Sequence, residues 1–221
     1  MCKYSVVLPC YNEADNLLNI IEKFRVFVKA WDFELILVDN GSSDGTYNVL
    51  SEIKEQKFNN FIKVVHINQN KGYGYGIQKG LESASGEILA YTHADDQTDP
   101  QDVFRAFDFI NKQGLNHRRI LIKGRRLGRS KKLLTTKWLS FLANFVLGMD
   151  YDDINGQPKV FGRSFLEHLD LEVNNFSYDL FILFCAHRSS FEVYDINVNF
   201  NKRLHGESKS AGNILKLFKT V

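Results

Sequence analysis

The chain has 221 residues, 28 Lys+Arg against 26 Asp+Glu, and a formal net charge of +2. With 44% hydrophobic and 24% charged residues, the composition is that of a soluble globular domain and excludes a disordered, collagen-like or coiled-coil chain. The length suffices for one full-sized core, and the near-neutral balance argues against a dedicated nucleic-acid binder.

In chain order, Tyr4 to Pro9 reads as a buried strand that stops at proline. From Glu13 to Ala30 the apolar residues Leu17, Ile20, Ile21, Phe24 and Phe27 recur at helical spacing. Phe33 to Val38 is a second strand, which runs into the turn Asp39-Asn40-Gly41-Ser42. A helix is expected over about Thr46 to Lys57, a strand over Ile62 to Ile67, a helix over Gly76 to Ala84 and a strand over Glu87 to Thr92. Asp99-Pro100 has the form of a helix start. Ile120 to Ile122 is strand-like, a long apolar helix covers about Lys132 to Leu147, another helix lies near Tyr178 to Ala186, and Phe191 to Val198 is the last strand. Strict strand–helix alternation in the first half predicts a Rossmann-like α/β domain. Its sheet would be mostly parallel, with helices on both faces. No repeat or linker divides the chain, so a single domain is expected.

Ligands of such sheets bind at the carboxyl ends of the strands. Polar clusters follow three of the strands: Pro9-Cys10-Tyr11-Asn12-Glu13, Asp39-Asn40-Gly41-Ser42 and His93-Ala94-Asp95-Asp96-Gln97. The third suits a hard divalent cation, which takes oxygen ligands from carboxylates and substrate phosphates. Alternation along an extended segment puts His93, Asp95 and Gln97 on one face, and the imidazole favours Mn²⁺ over Mg²⁺. The plainer alternative is a solvated loop that caps the helix at Asp99-Pro100. Asp39 is placed to accept from a base N–H of uracil or guanine, or else is only a turn residue. Asn12 and Glu13 have the alternative of a helix N-cap pair. The glycine-rich run Asn70 to Gly76 either presents backbone N–H groups to an anion or packs a helix start against the sheet. Arg125, Arg126, Lys159, Arg203 and Lys209 are scattered cations of a kind used to grip phosphate.

Three scattered cysteines without CxxC spacing fit a reducing compartment. The N-terminus lacks the form of a signal peptide. The longest apolar run, Trp138 to Met149, falls short of the roughly 20 residues of a membrane span. A cytoplasmic location follows. Contact with the membrane surface stays open: Lys131-Lys132 lead into the helix carrying Lys137, Trp138 and Phe141, and Asn213 to Lys219 is a short basic amphipathic tail.

Taken together, these motifs resemble family 2 glycosyltransferases of the GT-A type, in particular the branch of polyprenyl-phosphate (dolichol-phosphate) sugar synthases. The resemblance is carried by the three clusters above and by Asn70-Lys71-Gly72-Tyr73-Gly74, Gly124-Arg125-Arg126 and Asp153-Ile154-Asn155-Gly156-Gln157-Pro158-Lys159. The stretch Phe200 to Lys209 is the mark of the polyprenyl-phosphate branch. It implies an inverting, metal-assisted transferase that moves a sugar from a GDP- or UDP-sugar to a lipid phosphate. Pro9, Tyr11, Asn12, Glu13, Asp39, Asn40 and Ala94 would line the nucleotide-sugar site. Asp95, Gln97 and His93 would hold Mg²⁺ or Mn²⁺. Arg126, Arg203 and Lys209 would hold phosphates, with Asp153 and Lys159 near the acceptor. Asp95, Arg126 and Asp153 would be catalytic, as would Asp179 if the acceptor were a saccharide or protein hydroxyl that needs a base. Residues 1–100 would form the donor half and 101–221 the acceptor half. The family usually carries Asp-X-Asp where this chain has His93-Ala94-Asp95. Asp95 and Gln97 keep two of the three expected ligands. A non-catalytic nucleotide-sugar binder with a decayed metal site is the rival reading.

Overall fold

The computed structural model describes residues 2–55, 60–95, 97–127 and 148–199. The elements are β1 (Tyr4–Cys10), α1 (Ala14–Arg25), β2 (Phe33–Asn40), α2 (Thr46–Glu55), β3 (Ile62–Ile67), α3 (Tyr73–Ser83), β4 (Ile88–Tyr91) and α4 (Pro100–Gln113). They continue with β5 (Ile120–Leu127), β6 (Lys159–Gly162), α5 (Tyr178–Arg188) and β7 (Glu192–Asn199). They build one seven-stranded sheet in the order β3-β2-β1-β4-β6-β5-β7. All neighbouring pairs are parallel except β6, which runs antiparallel to both β4 and β5. The expected α/β architecture, with a mostly parallel sheet and helices on both faces, is the one observed.

Both faces of the sheet are buried, so its central strands read as continuous apolar runs. Val6, Leu8, Leu35 and Leu37 point into the layer formed with α1, α2 and α4. Val7, Ile36 and Val38 point into the layer formed with α3 and α5. Asp99 caps α4 by accepting from Gln101 N at 2.9 Å, Pro100 takes the first helical position, and Gly114 closes the helix in the left-handed region at φ 60. None of the three cysteines is paired.

The structure corrects four sequence expectations. The first helix ends at Arg25, and the residues to Trp31 continue as tight turns, with Phe27 N and Val28 N bonded three residues back. The strand at Ile120 runs on to Leu127 because β7 pairs with it over its whole length. Lys159–Gly162, read from sequence as part of a polar motif, is a central strand. Finally, α3 begins at Tyr73 and not at Gly76, because the carbonyl of Asn174 accepts from Gly74 N at 2.9 Å and Tyr75 N at 3.4 Å. The glycine-rich run is therefore a docking groove for the segment at 173–178, and these N–H groups are taken by protein backbone. A Cβ on Gly74 would collide with the carbonyl of Val173 and come within 2.9 Å of Tyr178 Cβ. Gly74→Ala is expected to destabilise the fold by about 1–3 kcal/mol, the usual cost of overpacking. Urea unfolding measures it, and an unchanged midpoint would mean that this segment does not dock there. The apolar helix expected over Lys132 to Leu147 and the tail beyond Asn199 lie outside the described residues. Among the described residues, no helix is long and apolar enough to cross a membrane.

Candidate active site

The carboxyl ends of β1, β2 and β4 bring the three polar clusters to one edge of the sheet. Two of the loops interlock. Asn12 takes a left-handed conformation (φ 56), which an Asn tolerates. Its N–H donates to Ser42 Oγ at 3.1 Å, and its Oδ1 accepts from Ser43 N at 2.8 Å. Glu13 N donates to Thr46 Oγ1 at 2.9 Å, and Ala14 N to Asp44 Oδ2 at 3.3 Å. Glu13 is the N-cap of α1 by position, with no side-chain cap bond; its carboxylate accepts from Asn16 Nδ2 at 2.7 Å. Tyr11 is half-buried at the same edge, just beyond Pro9, which pairs in register with Val38.

Asp39 is almost wholly buried. Its Oδ1 accepts from Ser42 N at 3.0 Å and its Oδ2 lies 2.8 Å from His66 Nδ1. Asn40 donates from Nδ2 to the carbonyl of Gly72 at 2.8 Å, and its buried Oδ1 has no partner among the described residues.

After β4 the chain does not stay extended. Asp95 Oδ1 accepts from Gln97 N at 3.2 Å, and the hydroxyls of Thr92 and Thr98 meet at 3.0 Å, which folds Thr98 back onto the end of β4. Strand alternation therefore does not place His93, Asp95 and Gln97; the loop does. Asp95 and Ala94 are buried and His93 is half-buried. Burial pushes the His93 imidazole down from its ordinary value against the opposing pull of the Asp95 and Asp179 charges. A neutral imidazole keeps a lone pair that a metal could take, and Asp95 and the Gln97 amide lie in the same loop. Among the described residues, no group of three or more His, Cys, Asp or Glu comes together as a metal cluster. A metal site there would thus depend on the amide. Asp96 lies outside the described residues.

The second half of the site is a row of side chains across the sheet. Tyr91, Lys159, Lys123 and Asp195 are direct cross-strand neighbours on β4, β6, β5 and β7. They continue an apolar row in which Val7 pairs with Tyr91. Lys123 and Lys159 are fully buried. Lys123 pairs with Asp195 at 2.7 Å and donates to the carbonyl of Asp152. Lys159 donates to the carbonyls of Ile154 and Gly156 at 2.8 and 2.7 Å and stands 3.4 Å from Asp179 Oδ1. That same Oδ1 accepts from Tyr91 Oη at 2.9 Å and Gln157 Nε2 at 2.7 Å. Burial pushes the Lys159 ammonium down, and the Asp179 charge opposes it. Asp179 is thus brought beneath Lys159 as the hub of a buried network.

At the end of β5, Arg126 grips Asp153 with its guanidinium: Nε lies 3.0 and 2.9 Å from the two carboxylate oxygens, and Nη2 also contacts Oδ1. Arg126 N adds a bond to Asp153 Oδ2 at 2.8 Å. Asp153 is held at φ 48. The loop that carries it lies backbone against backbone on β5, and a Cβ on Gly156 would meet the carbonyl of Gly124. Arg125 is half exposed and only loosely paired, 3.6 Å from Asp152. Arg203 and Lys209 lie outside the described residues.

The sequence reading missed His66, Tyr73, Tyr91 and Lys123. Of these, Lys123 had a signal, since it stands next to the Gly124-Arg125-Arg126 motif. The others are single residues in apolar or glycine-rich runs. Strand register brings His66 and Tyr91 to the site, and Tyr73, at the start of α3, reaches it by accepting from Gln157 Nε2 at 3.3 Å.

Solved structures of glucosyl-3-phosphoglycerate synthase from Mycobacterium tuberculosis share this fold. The one with Mn²⁺ and UDP-glucose has a TM-score of 0.73 at 18% identity, covering 99% of this chain and 77% of that one. The one with Mg²⁺ and UDP has a TM-score of 0.73 at 19% identity, covering 97% and 76%. Among curated relatives, an undecaprenyl-phosphate 4-deoxy-4-formamido-L-arabinose transferase from Photorhabdus laumondii is 28% identical over 94% of this chain and 62% of its own length. One of the same name from Pseudomonas fluorescens is 25% identical over 93% and 59%. The chain thus spans about three fifths of the relatives it matches. The sequence model of the family described as Glycosyl transferase family 2 matches residues 5–169, from β1 past β6 through all three polar loops, and the chain belongs to that family.

Proposed function

We propose that the protein is an inverting transferase that moves a sugar from a nucleoside diphosphate sugar, with UDP or GDP as the leaving group, to a polyprenyl phosphate. The observation that carries this reading is the meeting at one sheet edge of two different sites. One is the carboxylate-and-imidazole loop after β4, suited to a diphosphate and its cation; the other is the row of carboxylate-paired cations on β5 and β6, at whose end the half-exposed Arg125 is open to a second anion. Relatives named for transfer to undecaprenyl phosphate support the second anion as a lipid phosphate.

In this reading residues 1–100 bind the donor, with Asp39 on the base and Pro9, Tyr11, Asn12, Glu13 and Asn40 around the nucleoside. Asp95, Gln97 and His93 would hold a divalent cation, whose positive charge would offset the diphosphate. Residues 101–221 bind the acceptor. A phosphate oxygen of the lipid forms the new bond to the anomeric carbon as the bond from that carbon to the diphosphate oxygen breaks. The lipid phosphate is already an anion, so no general base is required. The described cations Lys123, Lys159 and Arg126 each face a carboxylate. They therefore fix the shape of the acceptor site more than its net charge. Arg125, Arg203 and Lys209 are the cations assigned to the phosphates. Asp179, with three donors on one oxygen, is an anchor for Lys159 in this reading and not a base for a hydroxyl acceptor. Because the acceptor is a lipid, the enzyme works at a membrane surface.

The test is transfer of labelled sugar from UDP- and GDP-sugars to a short polyprenyl phosphate with Mn²⁺, Mg²⁺ or EDTA. A lipid-linked product is expected, with Mn²⁺ ahead of Mg²⁺ because of the imidazole ligand, and a loss of about 10²-fold or more in EDTA. Transfer to saccharide hydroxyls with none to the lipid phosphate would overturn the acceptor assignment.

A further inference from the structure

Asp39 and His66 are direct cross-strand partners on β2 and β3. A carboxylate only accepts, so at 2.8 Å from Asp39 Oδ2 the His66 Nδ1 carries the proton. The Asp39 side chain is 1% exposed and that of His66 is 41% exposed. The imidazole therefore reaches from the solvent edge to a buried charge. On its α2 side the ring of Tyr47 stands 4.5 Å away and is itself half exposed. A charge buried to this degree needs hydrogen bonds on both oxygens. The backbone N–H of Ser42 serves only Oδ1.

We infer that His66 is a positioning residue for nucleobase selection. Its Nδ1–H fixes the rotation of the Asp39 carboxylate. The remaining lone pairs then receive a base edge that offers a ring N–H, as uracil and guanine do. Cytosine presents an acceptor nitrogen at that place and is refused. Exposed on the same edge, the His66 and Tyr47 rings form the rim of the base site. The inference rests on the donor reading above and adds to it the residue through which Asp39 discriminates.

Isothermal titration with UDP, GDP and CDP in the presence of Mn²⁺ tests it on the parent protein, His66→Phe and His66→Asn. The cation meets the same diphosphate in all three ligands, so its contribution cancels in their ratio. The parent protein is expected to bind UDP or GDP at least about tenfold more tightly than CDP, the scale of one charge-assisted hydrogen bond. His66→Phe keeps a ring beside Tyr47 but has no donor. It should lose about tenfold for the preferred nucleotide and bring the preference over CDP below about threefold. His66→Asn offers an N–H close to the place of Nδ1 and should restore the preference, an effect that a merely structural role would not produce. If His66→Phe keeps the full preference of the parent protein, the inference falls and the donor reading stands. If the parent protein binds none of the three nucleotides, the donor reading itself falls, and the inference with it.

Discussion

Replacing Asp179 by alanine is expected to lower the melting temperature by about 10 °C. The estimate follows from the buried pair with Lys159. Removing one partner of such a pair costs about 3–5 kcal/mol, because the other charge is left without compensation. In a domain of this size each kcal/mol shifts the midpoint by about 2–4 °C. Tyr91 Oη and Gln157 Nε2 lose their acceptor in the same step. The loss has a ceiling, since burial already favours the neutral amine of Lys159. An amine that sheds its proton can still donate to the carbonyls of Ile154 and Gly156. Asp179→Asn keeps an oxygen for Tyr91 and should cost about half as much. The pairing of Asp179→Leu with Lys159→Met should recover most of the stability, as exchange of a whole buried pair for apolar groups often does. Calorimetry on the three variants decides the matter. If Asp179→Ala melted within about 2 °C of the parent protein, the anchor assignment would be lost. Transfer to a hydroxyl that vanished in a fully stable Asp179→Asn would return this residue to the role of base.

The same network shows where reading the sequence succeeds and where it stops. The first hundred residues were legible because their polar loops directly follow strands with a clear apolar signature, and the carboxyl ends of parallel strands must share an edge. Tyr4 to Val38 illustrate this: period, length and the turn at Asp39 all agree, and the observed strands differ only at their last residues. Lys159 shows the opposite case. It opens a four-residue strand whose identity comes from pairing with β4 and β5, partners that precede it by dozens of residues. A strand set by long-range pairing leaves no local period to find. Tyr91 was visible only as the end of a strand, and nothing in its neighbourhood announced that its hydroxyl would meet a carboxylate on α5.

The glycine-rich run admits two readings from sequence, and the alternation expected at His93 fails, for a related reason. Backbone N–H groups at a helix start can be satisfied by an anion or by another carbonyl, and sequence does not separate the two. Here the carbonyl of Asn174, a hundred residues away, takes them. For His93, Asp95 and Gln97 the expected alternation assumed that β4 continued, whereas the Asx turn at Asp95 and the Thr92–Thr98 contact end it.

Asp153→Asn is expected to destabilise the protein at pH 7 by about 3 kcal/mol, and by clearly less at pH 3, since it leaves the buried guanidinium of Arg126 without a counter-charge. Burial alone would push the Asp153 carboxyl up. The hydrogen bonds and charge of Arg126 outweigh burial and hold it below the usual carboxylate range. The unfolded chain therefore binds the proton more tightly than the folded one, and stability rises with pH across that interval. The contribution of Asp153 is complete above the unfolded value of about 3.9 and is lost as pH falls through the lower folded value. The parent protein forfeits in acid what the variant lacks at every pH, so their unfolding curves should converge below about pH 4. Denaturant titrations at pH 7, 5 and 3 measure the gap. A gap that stayed constant would show that the carboxylate owes its position to the backbone bond from Arg126 N and not to the guanidinium. Function should follow the same pair. Arg126 lies at the end of β5, aimed by Asp153 from a left-handed turn. Arg126→Lys keeps a charge but loses the planar fork. A fall of about 10²-fold in transfer to the lipid phosphate is expected, with nucleotide binding unchanged because Asp39 and the loop at His93 are untouched.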